Sequence, residues 1–292
     1  MFNHSKHFKL YILLFIAMLT WGLSWTNGKI LGNYENIKLI IFWRFLLASI
    51  FFYPILKLTK YPIKPNIKSI PFIIINAIFI ILYNIFYFYG TKFGFAGAGG
   101  VLVTTLNPIL TTIISGILFK TYISFKNCLG LFLGLTGGLL IINGWKLDLN
   151  QIFLSGNLYF LLASCSWVLV TINTSIAKDE IHFMTYSFWS FLLGLLFCLP
   201  FIIHENILLV FNYDYIFWLN LILISVGAMA FGQSIYFKAT TILGPKDSSS
   251  FIFLVPISAL LFAIIFLNEP IILSTIFGGI LGLSGVYLIN KN

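Results

Sequence analysis

The chain reads as an all-α integral membrane protein, with ten transmembrane helices arranged as two inverted five-helix repeats. Three observations predict this. Hydrophobic residues make up 60% of the 292 residues and charged ones 9%, with a mean hydropathy of +1.00; so little polar surface cannot clothe a water-soluble globule. Apolar stretches of about 20 residues, the length that crosses a bilayer core, follow one another along the chain. The second half of the chain then repeats the first.

The first predicted span runs from Leu10 to Ile30. Its basic approach resembles the start of a signal peptide, but it is too long for one, carries Trp21, Trp25 and Asn27, and has no small-residue cleavage site. The second, Ile37 to Leu56, holds Trp43, Arg44 and Pro54, and the third, Ile70 to Tyr89, places Tyr83, Asn84 and Tyr87 on one face by their spacing of three and four. The fourth, Gly97 to Phe119, opens with the glycine run Gly94–Gly100 and contains Pro108. That run carries no phosphate-loop or dinucleotide pattern, so it reads as a tight, closely packed turn more readily than as an anion cradle. The fifth, Asn127 to Ile142, carries glycines at small-xxx-small spacing, which lets helix backbones approach closely in lipid. The sixth to eighth run Gly156 to Ala177, Phe183 to Ile203 and Tyr215 to Phe237. The ninth, Ser248 to Leu267, contains Pro256, and the tenth, Ile271 to Ile289, is again glycine-spaced.

At an offset of 146, Ala17 falls on Ala163, Trp21 on Trp167, Asn27 on Asn173, Trp43 on Trp189 and Pro54 on Pro200. From Ala17 to Pro54 this gives 12 identities in 38 positions, and two of them are tryptophans, of which the chain has only 7. Chance pairing of Leu, Ile and Phe does not supply that. At 148, Pro108 falls on Pro256, Gly130 on Gly278 and Gly134 on Gly282; at 149, Tyr87 falls on Tyr236. The halves are therefore residues 1–145 and 146–292, within one membrane body. Five helices per half is an odd number, so the second copy enters from the opposite side, the architecture in which one substrate site faces each side in turn.

With the N-terminus cytoplasmic, 11 lysines collect on the cytoplasmic face (among them Lys57, Lys60, Lys64, Lys68, Lys120, Lys126, Lys178 and Lys246) against Lys29, Lys38, Lys92 and Lys146 on the other. The positive-inside rule then places both termini in the cytoplasm, at the inner (plasma) membrane. The formal charge of +9 describes topology and contact with anionic lipid, not a nucleic-acid surface. Cys128, Cys165 and Cys198 lack metal or disulfide spacing and read as small packing residues.

At this point the chain resembles the ten-helix, EamA-type members of the drug/metabolite transporter superfamily, whose relatives include exporters of amino acids and other metabolites. The resemblance rests on A-M-L-T-W-G at Ala17–Gly22, W-R-F-L-L-A at Trp43–Ala48, L-N-P at Leu106–Pro108, L-V-P at Leu254–Pro256 and L-N-E-P at Leu267–Pro270. It implies alternating access around a central cavity lined by the first, third, fourth, sixth, eighth and ninth helices. The small-molecule binding candidates are Tyr83, Asn84, Tyr87, Asn107, Trp167, Gln233, Tyr236 and Trp21, aromatic faces with a few amides that suit a neutral or zwitterionic solute. Trp25, Trp145, Tyr215 and Trp218 are read instead as interface anchors, and Asn27 and Asn173 as interhelical hydrogen-bonding groups. Pro108 and Pro256 inside their helices are read as paired bends for gating.

Two charges are read as structural. Arg44, the only arginine, lies in the second helix with no acid on that helix; it snorkels or ties backbone carbonyls, and the alternative is a hold on an anionic substrate group. Glu269 is expected to cap or tie the turn between the ninth and tenth helices, although the matching position of the first repeat is Thr121 where relatives carry Glu. No acid lies deep in a predicted span and the four histidines fall outside them, so transport without strict proton coupling is expected. No cofactor or metal is expected, the partners are solute and lipid, and the assembly is a monomer or homodimer. The spacing of an uptake permease or exchanger for a nucleotide-like or cofactor metabolite would be no different. A lipid-modifying membrane enzyme would need converging acid/base or metal-binding groups, and the chain has no DxxD, HExxH or histidine cluster.

Overall fold

The computed structural model describes residues 4–34, 36–118, 125–142, 156–177, 179–243 and 251–290, which are helical without a strand. Among the described residues, seven helices are long and apolar enough to cross a membrane. These are α1 (His4–Leu31), α2 (Ile37–Leu58), α3 (Ile70–Phe93), α4 (Ala96–Leu118), α6 (Asn157–Ala177), α7 (Phe183–Ile202) and the composite α8. Within α8, α-helical Tyr215–Ile222 passes into π-helical Leu223–Gly232 and back into α-helical Gln233–Leu243. Three shorter apolar helices complete the described set: α5 (Phe125–Ile141), α9 (Leu254–Leu267), entered through the 3-10 turn Phe251–Phe253, and α10 (Leu273–Asn290).

Several ends differ from expectation. α1 begins at His4, so the backbone of His4 and His7 is helical, because helix propensity rather than hydropathy sets where a helix starts. α8 runs on to Leu243, and regular α winding in the ninth rod starts at Leu254. Pro256 therefore sits in the first turn of α9, where a missing N–H costs little, whereas Pro108 lies within α4. The two prolines are not equivalent mid-helix bends. Glu35, Phe119, Lys120, Thr121, Trp145, Lys146, Asp148, Lys178, Lys246, Asp247, Ser248, Lys291 and the boundary between the halves lie outside the described residues.

Side-chain caps close the helix starts that sequence alone marks only with a polar residue. Asn36 accepts the N–H of Leu39 (3.2 Å) and Asp214 that of Phe217 (3.0 Å), each satisfying a donor that the helix leaves open. Hydroxyls inside the helices return to the carbonyl four residues back, as in Ser166 to Leu162 (2.9 Å) and Thr174 to Val170 (2.7 Å). Such groups have no water to meet in an apolar surround.

The glycines of α5 and α10 face each other. A Cβ on Gly137 would strike the backbone of Gly278 and Gly282, and one on Gly285 that of Gly130 and Gly134, so this seam admits only glycine. One helix from each half thus packs backbone to backbone here, while Phe132, Leu139, Phe277 and Ile280 point outward. Elsewhere α1 packs on α8 and α9, α6 on α3 and α4, α2 on α7 and α8, and α3 on α7. Adding five to each helix number of the first half, and subtracting five in the second, carries these pairs onto one another: α1·α9 onto α6·α4, α1·α8 onto α6·α3, α2·α8 onto α7·α3.

Helix ends sort to two ends of the bundle. At one, Tyr34 after α1 donates to Asp214 before α8 (2.6 Å), and Asn36 before α2 donates to Glu205 after α7 (2.6 Å). The Tyr34 bond holds the exposed Asp214 carboxyl below the usual aspartate range. At the other end, Thr185 and Trp189 of α7 donate to the carbonyls of Pro62 and Ile63, the latter at 2.7 Å, and Asn173 of α6 reaches Phe72 O (2.8 Å) and Tyr186 (2.7 Å). Asn173 makes the interhelical bonds expected of it.

Candidate functional site

The third helix brings its expected face to the centre of the bundle. Asn84 and Tyr87, 2% and 1% exposed, are buried, and half-buried Tyr83 stacks 5.8 Å from Tyr87 and 4.8 Å from Trp167 of α6. Tyr87 donates its hydroxyl to Ser24 O of α1, and Gly28 leaves the room for that ring. Around them lie Trp25, 4.9 Å from Tyr87 and 5.9 Å from Phe160, with Gly100 of α4 beneath it. Trp25 is 3% exposed and is a wall of this cluster, not an interface anchor, because glycine on α4 opens a slot for the indole.

Arg44 stands in the middle. It is 7% exposed; its Nη1 donates to Asn84 Oδ1 at 2.7 Å, and its guanidinium carbon lies 5.5 Å and 5.8 Å from the ring centres of Tyr87 and Phe88. Asn84 is itself fixed through Nδ2 to Ile80 O (2.8 Å). Arg44 neither snorkels nor ties a backbone carbonyl, since its side chain turns inward onto α3. Its Nε is buried without a hydrogen-bond partner. Among the described residues the one salt bridge joins Lys38 and Glu205 (3.6 Å), so no carboxylate balances Arg44.

A second cluster occupies the equivalent place on α8. Trp21 of α1 lies 5.3 Å from Tyr236 and donates its indole N–H to Ala228 O (2.9 Å), a carbonyl of the π-helical segment. Such a turn loosens the regular ladder and is frequent at functional sites. Gly232 gives Trp21 its seat, and Gln233 beside it is buried. At the offset of 149 that pairs Tyr87 with Tyr236, Asn84 also falls on Gln233. The equivalence of the two amides was thus legible in the sequence, while the π winding was not.

Of the remaining candidates, Asn107 on α4 is half-buried and its Oδ1 has no partner. Trp218 packs into an aromatic group with Trp43 (5.6 Å) and Phe211 (5.3 Å), whereas Tyr215 is 77% exposed. Cys128 and Cys165 are exposed and only Cys198 is buried, so packing accounts for one cysteine of the three. Among the described residues no three His, Cys, Asp or Glu side chains group as metal ligands do.

Glu269 ties the α9–α10 turn as expected, and the helix start that it closes is that of α4. Its carboxylate accepts the N–H groups of Ala96 (2.6 Å) and Gly97 (2.9 Å), tying the α9–α10 turn to the start of α4. The glycine run does bare N–H groups to an anion, and the anion is this side chain, drawn by the partial positive charge of a helix start. Beside it, Lys29 of α1 donates to the carbonyls of Lys92 (3.1 Å) and Gly94 (2.8 Å) at the end of α3.

The model of the EamA-like transporter family matches the chain twice, over residues 8–143 and 154–291. The uncharacterized transporter YoaV of Bacillus subtilis is 24% identical over 92% of this chain and 92% of its own. An uncharacterized transporter of Archaeoglobus fulgidus is 25% identical over 96% of each. A solved crystal structure shares the fold, with a TM-score of 0.65 at 15% identity over 96% of both chains. Two successive matches to one transporter family, on a bundle of membrane-length helices, make the conclusion plain: the chain is an integral membrane protein and belongs to the EamA-like transporter family.

Proposed function

We propose that the protein is an alternating-access transporter of small metabolites, exporting amino acids or related solutes, rather than an enzyme. Its membrane body is ten transmembrane helices in two inverted repeats at the inner membrane, with both termini cytoplasmic. The observation that carries this reading is the duplicated aromatic and amide lining. Trp21 and Trp167 match at the offset of 146 and each rests on a tyrosine of a central helix, Tyr236 of α8 or Tyr83 of α3, while Asn84 and Gln233, which match at 149, are both buried. Two such half-sites, one from each half of the chain, suit a solute handed from one side to the other. The exchange symmetry of the helix contacts supports the repeats, and Lys57 in the last turn of α2 with Lys60, Lys64 and Lys68 between α2 and α3 support the orientation.

The test is thermal unfolding of the purified protein against amino acids, amines, nucleosides and cofactors, followed by flux of each stabilising compound into proteoliposomes. A ligand bound by the folded state raises its apparent stability. Saturable flux of one amino-acid class, lost in Trp167→Ala while folding is kept, is the expected result. Enzymatic turnover of a lipid by the purified protein, without solute flux, would discard the reading.

A further inference from the structure

We propose that Arg44, with Asn84, is an anion subsite on the transport pathway, and that the transported solute carries a carboxylate which Arg44 holds. The inference rests on the transporter reading above and adds to it the charge of the solute. A guanidinium presents five N–H donors in a planar fork matched to the two oxygens of a carboxylate. Here Nη1 meets a neutral amide oxygen, Nε has no partner, and no carboxylate among the described residues lies within ion-pairing distance. A buried cation so poorly matched is costly in an apolar body. A purely structural arginine would be expected to spend its donors on helix-end carbonyls, as Lys29 does on Lys92 and Gly94.

The surroundings select the anion. Arg44 is the only arginine of the chain, so the subsite supplies one positive charge and is balanced by one negative charge; a phosphate group, with a charge near −2, asks for more. Asn84 Oδ1, 2.7 Å from Nη1, stands where a carboxylate oxygen would stand, and its displacement admits the solute. Tyr83, Trp167 and Trp25 then face the remainder of the solute with apolar and π surface. The symmetry-related residue is Ser190, which receives Asn76 Nδ2 (2.9 Å) and donates to Tyr186 O (2.7 Å), so only one half-site is charged. The solute's carboxylate is accordingly held toward α2 and α3.

Because the chain has a single arginine, an arginine-selective reagent reports on this site alone. Wild-type protein in lipid nanodiscs is treated with 4-hydroxyphenylglyoxal, and modification of Arg44 is followed by mass spectrometry. The probes are L-phenylalanine, L-leucine, their decarboxylated amines, succinate and inorganic phosphate. The expected result is slow modification of the folded protein, slowed at least a further tenfold by an amino acid and not by the matching amine. Three results would overturn the proposal: no modification over a time in which denatured protein reacts fully, modification that no carboxylate slows, or protection by the amine equal to that by the acid. Protection by phosphate alone would replace the carboxylate with a phosphate and so overturn it too. Flux measured in parallel separates the readings, since flux of an uncharged solute with Arg44 unprotected keeps the transporter and removes the subsite. Protection without flux would do the reverse.

Discussion

The two halves of the molecule put the same residue types on the same helices and then diverge where chemistry enters. In the first half α3 is regularly wound and its Asn84 meets Arg44; in the second, α8 switches to π winding before Gln233, and Ser190 replaces the arginine. The difference teaches that the two copies share a frame of helices, while their polar side chains were set one copy at a time. An exchange-symmetric frame tolerates this because close packing of large and small residues sets helix positions, and packing is indifferent to a charge that finds a partner. Glu269 is a further asymmetry, for the second half lends its carboxylate to the start of a first-half helix.

The comparison breaks most sharply at the amides. Asn84→Ala strips a buried guanidinium of its acceptor and is expected to cost about 2–3 kcal/mol of stability. Gln233→Ala, with no ion to leave behind, is expected to cost about 1 kcal/mol. Denaturant or thermal unfolding in matched detergent measures both, and equal losses would mean that the two half-sites are alike and that the charge of Arg44 is met elsewhere. Glu269→Ala opens the cap on α4 and is expected to cost about 1–2 kcal/mol, with faster amide hydrogen exchange confined to the first turn of α4. Unchanged exchange at Ala96 and Gly97 would remove the tie between the halves at that end. Trp21→Phe keeps the ring on Tyr236 but removes the indole's hydrogen bond to Ala228 O, at about 1 kcal/mol. The same change at Trp167 is expected to cost less, and an equal or larger loss there would mean that the Trp21–Ala228 bond does not set the two tryptophans apart.

Much of this was legible beforehand because membrane helices announce themselves by length and hydropathy. The membrane-length helices and the shared face of Tyr83, Asn84 and Tyr87 followed from length and from spacing that any α-helix must obey. The places of Trp25, Glu269 and Arg44 did not. An indole at a helix end faces lipid or a neighbour according to what the neighbour lacks, and here Gly100 on α4 decided it. Glu269 found N–H donors more than 170 residues away, and Arg44 found Asn84 on another helix.

The sequence by itself determined an all-helical membrane body with an internal repeat, since hydropathy and periodicity are local properties carried by each segment alone. Only the tertiary structure decided which polar side chains are paired, that Trp25 is a wall of the buried cluster, and that the guanidinium of Arg44 is left with an unmatched donor. Those outcomes depend on distances between helices, which packing fixes and no single segment encodes.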